Sequence, residues 1–390
     1  MYRRLLFTIY APSSCTSLAQ EGMLVIVPLY VLALGYSPAT AAFVAAARGL
    51  GMLLVDLPIG LLAARHGERA VMLGGLVGLT VAMVGFALAN TPIGLALSAL
   101  LSGSAFSAWM LGRQSYLAAS CASAERGRAI AVLGGLMRVG ALTGPLAAGL
   151  IAARHGFPAA LLVSAALCAL AAVFVATQAR PLDQDRPAAR EPAAARLSKL
   201  LAEHGGIYAR AGFASISLQL MRSARAILLP LMGHALGLEV VTITLVATLA
   251  ACADLVLFLP AGLVMDRYGR KWSAVPCMIG LVSTLALLPL VNNFNSLVAV
   301  AMAMGLANGM GSGVVLTLGA DLAPAHDRAT FLGVWRLIGD TGRAGAPLLV
   351  GTLVAHVGSL GLAAWVIGAV GLAGAGVWSW LVPETLERGT

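Results

Sequence analysis

Long apolar segments recur along the whole chain and are separated by short polar ones. Most of them exceed about 20 residues, which is the length that a helix needs to cross a hydrocarbon core of about 30 Å. They are continuous and rich in Ala, Leu and Gly, whereas the strands of a membrane barrel alternate over about ten residues. The pattern therefore predicts membrane-spanning helices, which satisfy their own backbone hydrogen bonds within lipid.

The apolar segments predict twelve helices, six on each side of one longer polar segment. The first six are predicted over residues 6–34, 38–64, 70–90, 92–121, 128–153 and 157–178, and the second six over residues 206–235, 239–265, 272–291, 295–322, 329–356 and 359–382. The polar segment contains Pro and several Arg residues and is expected to be a cytoplasmic linker without a binding role. The predicted divisions are an N-terminal half (1–178), a linker (179–204) and a C-terminal half (205–390).

Composition and charge agree with a membrane protein. Of the 390 residues, 59% are hydrophobic and 11% are charged, and the mean hydropathy is +0.91, which leaves too little polar material to cover a soluble domain. Basic residues concentrate before the first helix and after the even-numbered helices, whereas the opposite loops hold almost only Arg154. The positive-inside rule places both termini in the cytoplasm, so the net charge of +9 needs no nucleic-acid partner to explain it.

The residue types present also limit the chemistry. Five cysteines lie singly in apolar segments, without CxxC spacing or clustered histidines, so neither a disulfide framework nor a metal site is predicted. No nucleophile with a neighbouring base is visible, and we expect neither enzyme activity nor a cofactor. The excess of Arg over Lys and the many Ala and Gly residues indicate a GC-rich bacterial source, and hence a multi-pass protein of the inner (cytoplasmic) membrane.

The two halves repeat each other at a fixed spacing of 202 residues. This offset aligns Pro58 with Pro260, Gly60 with Gly262, Gly67 with Gly269, Gly103 with Gly305, Arg126 with Arg328, Pro145 with Pro347, and Gly149 with Gly351. Because each half has six helices, the repeat is parallel, about an axis along the membrane normal. The predicted fold is an all-α membrane protein with twelve transmembrane helices in two pseudo-symmetric halves.

The polar loop after the eighth helix carries the first family signature. Residues 262–271, GLVMDRYGRK, resemble the loop signature of the major facilitator superfamily, and residues 60–69, GLLAARHGER, are its N-terminal copy. The copy departs from the pattern at Ala64, where the family has Asp, and at Glu68, where it has a basic residue. The resemblance implies that these loops form the inner gate, through Gly60, Arg65, Gly67, Gly262, Asp266, Arg267, Gly269 and Arg270. Asp56 lies one turn before Gly60 and is expected to be a gate or helix-packing acid.

A second resemblance lies on the fifth helix. Gly140, Gly144, Pro145 and Gly149 are similar to the Gly-Pro signature of the drug/proton antiporter branch of that superfamily, although Ala148 stands where a further Gly is usual. Small residues permit close helix packing, and Pro bends a helix. The resemblance implies proton-coupled efflux by alternating access. A glycine-rich packing helix without that meaning is the alternative.

Glu21 is the acid most suited to proton coupling, because it lies about midway along the first helix, where burial would favour proton exchange near neutral pH. Arg113 in the segment GRQSY resembles the arginine that antiporters of the family place near the coupling carboxylate. We expect Glu21 and Arg113 to form a switch in which their separation changes the affinity of Glu21 for a proton. A permanent ion pair of Glu21 with Arg113 or Arg48 is the structural alternative.

Further charges at membrane depth are candidates for a substrate cavity. They are Arg48, Arg138, Arg222, Arg225, Asp254, Arg336, Asp340 and Arg343. Arg336, Asp340 and Arg343 form one stripe of the eleventh helix, in which Asp340 can pair with either arginine. Arginines that share a buried face attract an anion, so they are candidate ligands for an acidic substrate. Pairing that only holds the C-terminal half together is the alternative.

The leading functional prediction is a proton-coupled transporter that exports small organic compounds across the inner membrane. An organic-anion or phosphate-ester transporter with an arginine-lined cavity is the second prediction, and a non-transporting membrane sensor or scaffold is the third, from another class. The expected partners are a small-molecule substrate, protons and the lipid bilayer, and the protein is expected to be a monomer.

Overall fold

The computed structural model describes residues 5–120, 123–179, 193–324 and 328–386. Within these ranges, the side chains at 57, 60, 61, 64, 123–127, 193–199 and 329 are not described. The described residues are almost entirely helical, as the apolar segments predict. The labels α1–α12 follow the twelve predicted helices.

The first six helices follow the predicted order. A π-helical turn, Leu6–Tyr10, leads into α1, Ala11–Ala33. One helical stretch, Pro38–Leu88, contains α2 (38–66) and α3 (68–88), because Gly67 at φ 82° and ψ 157° interrupts it. The remaining helices of this half are α4, Pro92–Ser120, α5, Ser123–His155, and α6, Phe157–Gln178.

The second half begins with a helix that the sequence did not predict. A linker helix, Ala193–Ile207, continues through a π-helical turn, Tyr208–Gly212, into α7, Phe213–Ala235. The other helices are α8, Val240–Tyr268, α9, Lys271–Leu287, α10, Phe294–Leu322, α11, Arg328–Val357, and α12, Leu360–Leu381. Helix α10 consists of Phe294–Met310 and Val314–Leu322, with Gly313 in the left-handed region at φ 82° between them.

Ten of the described helices are long and apolar enough to span a membrane. Helices α7 and α11 fall short of this standard, because polar and charged residues lower their hydropathy. Arg222 and Arg225 lie in α7, and Arg336, Asp340 and Arg343 lie in α11. The two helices therefore carry charge at membrane depth, which marks them as functional candidates.

The predicted repeat is present in the backbone. Three pairs of glycines with positive φ are separated by the same 202 residues: Gly35 and Gly237, Gly67 and Gly269, and Gly156 and Gly358. The close approach of helices also repeats. Gly103 of α4 lies against the Arg48 carbonyl of α2, and Gly305 of α10 lies against the Ala250 carbonyl of α8.

The chain forms two compact units, one of residues 1–184 and 230–248 and the other of residues 185–229 and 249–390. The first unit packs its buried core around Trp109, with Met72 and Leu76 of α3. In the second unit, the ring of Phe331 on α11 stacks on Tyr208, with 4.8 Å between ring centroids. Each unit thus has its own apolar core.

Candidate transport site

Helices α1 and α5 of the first unit meet along a seam of small residues. Gly140 packs against Ser17, and Gly144 packs against the carbonyl of Leu18. A Cβ at Gly144 would lie only 2.7 Å from that carbonyl oxygen. The Ser17 hydroxyl donates to the Met137 carbonyl at 2.9 Å, which joins the two helices further. Close backbone contact of this kind requires residues without bulky side chains.

Glu21 lies on the same seam. A Cβ at Gly144 would lie 3.2 Å from the Glu21 Cβ, and a Cβ at Gly22 would lie 2.8 Å from that of Ala148. Position 148, where the family signature usually has Gly, therefore faces the glycine next to Glu21. Any change in the separation of α1 and α5 alters the surroundings of the half-buried Glu21 side chain.

The rest of the predicted Gly-Pro motif is also buried. Pro145 lies inside α5 and is buried. Gly149 lies against the side chain of Thr244 within the same unit. The motif thus contacts α1 near its middle and the beginning of α8 at Gly149.

Arg48 and Arg113 approach α1 at two different levels. The Arg48 guanidinium donates to the Gln20 side-chain oxygen at 3.0 Å and lies 5.0 Å from the centre of the Phe106 ring. Arg113 is only 2% exposed and donates to the Ser13 hydroxyl at 3.2 Å.

These contacts bear on the predicted Glu21 switch. Ser13 precedes Glu21 by about two helical turns, or roughly 12 Å along α1, whereas Gln20 is the immediate neighbour of Glu21. The predicted switch between Arg113 and Glu21 stays a prediction, and the Arg48 guanidinium contacts the side chain of the residue that precedes Glu21. Arg138 is half-buried on α5.

The N-terminal gate residues are spread along α2 and the turn that follows it. The Asp56 carboxylate accepts a hydrogen bond from the Ser107 hydroxyl of α4. Arg65 is exposed, and Gly67 forms the turn between α2 and α3. Gly60 lies in α2, where its surroundings are outside the described part of the structure. Asp56 thus joins α2 to α4.

The C-terminal loop signature is held by charged residues from three helix ends. The Arg270 guanidinium pairs with Asp321 at the end of α10, with 2.8 Å between Nε and Oδ2. The Glu384 carboxylate after α12 accepts the backbone N–H groups of Arg270 at 2.8 Å and Lys271 at 3.0 Å. Gly269, at φ 114°, leaves the room that Glu384 occupies.

Sequence reasoning missed the role of Glu384. The signal available was an acid just beyond the last helix, and nothing in its spacing indicates α9 as its partner. Burial alone would raise the pKa of Glu384, but the N–H groups of Arg270, Lys271, Leu386 and Thr385 together lower it below the ordinary 4.5. The other residues of this signature are less enclosed: Asp266 and Arg267 are exposed and Gly262 has open space around it.

The predicted stripe on α11 forms a charge cluster. Asp340 is 1% exposed and lies between two arginines, with its oxygens 2.6 Å from Arg343 Nη1 and 3.6 Å from Arg336 Nε. The Ser223 hydroxyl of α7 donates to the Arg343 carbonyl at 2.8 Å. The cluster therefore lies directly beside α7.

The polar residues of α7 and α8 have contacts of their own. Arg222 donates to the Gln219 side-chain oxygen at 3.2 Å and to the Gly311 carbonyl, at the break in α10, at 2.8 Å. Asp254 of α8 accepts from the Asn308 side-chain amide at 2.7 Å. Arg225 is half-buried on α7. Gly311 and Asn308 are uncharged, so the sequence analysis, which considered charged residues, did not identify them as partners of Arg222 and Asp254.

The sequence profile of the Major Facilitator Superfamily matches residues 13–212 and again residues 211–389. The chain belongs to the Major Facilitator Superfamily. The double match agrees with the repeat in the backbone. A member of this superfamily is a transporter and not an enzyme, and its helices make this chain a multi-pass membrane protein.

Two curated relatives are similar to part of this chain. Both are named multidrug resistance protein MdtG, from Escherichia coli O9:H4 (strain HS) and Escherichia coli (strain SMS-3-5 / SECEC), and they are 26% and 25% identical over 176 and 175 residues. The matches cover 44% of this chain and 43% of each relative. The chain thus spans less than half the length of the curated relatives it matches.

Solved structures share the fold over nearly the whole chain. A POT family transporter in complex with a thioalcohol-conjugated peptide has a TM-score of 0.81 at 13% identity, covering 98% of this chain and 97% of that one. A D-xylose-proton symporter has a TM-score of 0.77 at 17% identity, covering 100% and 99%. The nucleoside transporter NupG (D323A mutant) has a TM-score of 0.76 at 15% identity, covering 97% and 98%. At these identities the likeness concerns the superfamily fold alone.

Proposed function

We propose that the protein is a proton-coupled transporter that exports small organic compounds across the bacterial inner membrane by alternating access. The observation that carries the proposal is the position of Glu21 on the tight seam between α1 and α5, beside Gly144 and Gly22. The partial similarity to relatives named for multidrug resistance supports export. The distribution of basic loop residues supports cytoplasmic termini.

Glu21 would couple proton movement to helix movement. A carboxylate at membrane depth is costly unless water or a cationic partner surrounds it. A protonated carboxyl carries no charge and costs less in the same surroundings. Because the α1 and α5 backbones touch beside Glu21, the two protonation states favour different surroundings and hence different positions of these helices. Substrate binding that favours one position would then release or take up the proton.

The test uses inverted vesicles with an acidified lumen. Small organic cations, anions and neutral compounds are added in turn, and the pH of the lumen is followed with a fluorescent dye. An exporter that exchanges compound for proton raises the lumen pH when its substrate is added, and we expect Glu21→Gln to abolish this response.

Glu239→Gln is the matched control, since Glu239 is exposed and precedes α8 outside the helix. It should respond like the wild-type protein. A response that survives Glu21→Gln at equal protein levels would overturn the role of Glu21, and the absence of any compound-dependent response would overturn proton-coupled export.

A further inference from the structure

The helix interiors of the second unit carry more positive than negative charge. Among the described residues of α7 to α12, positions away from the helix ends hold four arginines against two aspartates: Arg222 and Arg225 of α7, Arg336 and Arg343 of α11, Asp254 of α8 and Asp340 of α11. Net charge at membrane depth is costly, and such residues face a wet cavity or a counter-ion. A group of arginines at this depth makes their surroundings attractive to an anion.

The geometry around Asp340 shows what such an anion would resemble. Its carboxylate is held between Arg343 and Arg336, the arrangement in which guanidinium groups recognise carboxylates and phosphates. The Asp340 side chain is 2% exposed, whereas those of Arg336 and Arg343 are 24% and 48% exposed. The acid is thus enclosed, and both arginines keep accessible surface for a second acceptor.

Helix α7 packs beside the α11 cluster and carries a further arginine. The Ser223 hydroxyl contacts the Arg343 carbonyl, whereas the side chain of Arg222, the preceding residue, lies against Gly311 at the break in α10. Arg222 is held in place by the Gly311 carbonyl and Gln219. Both of these acceptors are neutral, so Arg222 adds to the positive charge of this unit.

We propose that Arg336 and Arg343 form a subsite for the carboxylate or phosphate group of the transported compound. The proposal rests on the proposed function, because it names the class of compound that the transporter carries. Asp340 acts in the empty site as an internal anion that holds the arginines in position. A bound anion shares these arginines with Asp340 and competes with it.

The test measures binding without transport. The purified protein is placed in nanodiscs of zwitterionic lipid, and its thermal unfolding midpoint is followed against the concentration of benzoate or phenyl phosphate. Benzamide and benzylammonium serve as the neutral and cationic matches. We expect a saturable rise in the midpoint with the anions alone, because a ligand that binds only the folded state stabilises it.

The variants identify the site. Arg336→Gln and Arg343→Gln should each weaken anion binding about tenfold, the effect of losing one charge-assisted hydrogen bond. Arg210→Gln is the matched control in the same unit, since Arg210 is exposed before α7, and it should bind as the wild-type protein does. Asp340→Asn should bind the anions more tightly than the wild-type protein, because the internal competitor loses its charge.

Three outcomes would overturn the proposal. Equal stabilisation by benzamide would show that charge is not recognised, and weaker binding by Asp340→Asn would show that Asp340 does not compete. A stabilising effect of anionic lipid that excludes benzoate and is lost in Arg343→Gln would assign the arginines to lipid head groups. Proton coupling does not enter this assay, so its result is independent of the vesicle test. Anion binding can be observed even if the vesicles show no proton-coupled export, and export can be observed even if no anion binds.

Discussion

The seam between α1 and α5 makes a quantitative prediction for Gly140→Ala. A Cβ at this position would lie 2.5 Å from the Ser17 Cβ and 2.8 Å from the Ser17 backbone carbonyl carbon, whereas ordinary contacts begin at 3.4 Å. Helix α5 would therefore retreat by about 0.9 Å to restore ordinary contact with the Ser17 Cβ, and the hydrogen bond from Ser17 to the Met137 carbonyl would be disturbed. Overpacking of this kind costs about 1–3 kcal/mol.

Gly134→Ala on the same helix is the matched control. No atom lies within 4 Å of a Cβ at Gly134, so this variant gains only the higher helix propensity of Ala, about 1 kcal/mol. Both variants gain that amount, and the difference between them isolates the cost of the seam. At about 2–4 °C per kcal/mol for a unit of 150–250 residues, we expect Gly140→Ala to unfold roughly 2–12 °C below Gly134→Ala.

The assay is thermal unfolding of both purified variants under identical detergent conditions. If Gly140→Ala unfolds at the same temperature as Gly134→Ala or above it, the tight contact of α1 with α5 does not exist as described. The same pair should also separate in transport, because the displacement occurs one helical turn from Gly144, which packs beside Glu21.

Three other variants extend these arguments. Gly305→Ala should unfold below its control Gly376→Ala by about 1–3 kcal/mol in thermal unfolding, since a Cβ at Gly305 meets the α8 backbone and Gly376 has open space; equal stability would contradict the repeated close approach. Ser107→Ala removes the donor to Asp56 and should cost about 1.5–3 kcal/mol, an effect that should vanish in an Asp56→Ala background, which has no acceptor. Because the pKa of Glu384 is lowered in the folded protein, its stabilising effect is present above pH 4.5 and is lost as the pH falls through the lowered pKa; Glu384→Gln should therefore flatten the fall of the unfolding midpoint below that pH.

The sequence predicted the features that depend on hydropathy and spacing. The twelve helices follow from the length of the apolar segments, and the 202-residue repeat follows from paired Gly and Pro residues. The structure confirms both, and the positive φ of Gly67 and Gly269 shows why these positions hold glycine. The pairing of Asp340 with Arg336 and Arg343 was also predictable, because all three share one face of a single helix.

The features that the sequence did not predict depend on contacts between distant segments or on backbone conformation. Glu384 contacts Arg270, which lies more than a hundred residues earlier in the sequence, and hydropathy gives no information about such a contact. The break at Gly313 lies inside an apolar segment, where one glycine among many gives no sign of its φ value. The linker helix was missed because polar residues lower hydropathy without opposing helix formation.

Compound uptake into proteoliposomes with an imposed pH gradient tests the central claim most directly. The purified protein is reconstituted, the lumen is made more acidic than the medium, and accumulation of a labelled organic compound is measured with and without a protonophore. Our account predicts accumulation that the protonophore abolishes, that Glu21→Gln lacks and that Glu239→Gln retains. Accumulation that is indifferent to the pH gradient, or that Glu21→Gln supports at the wild-type rate, would contradict it.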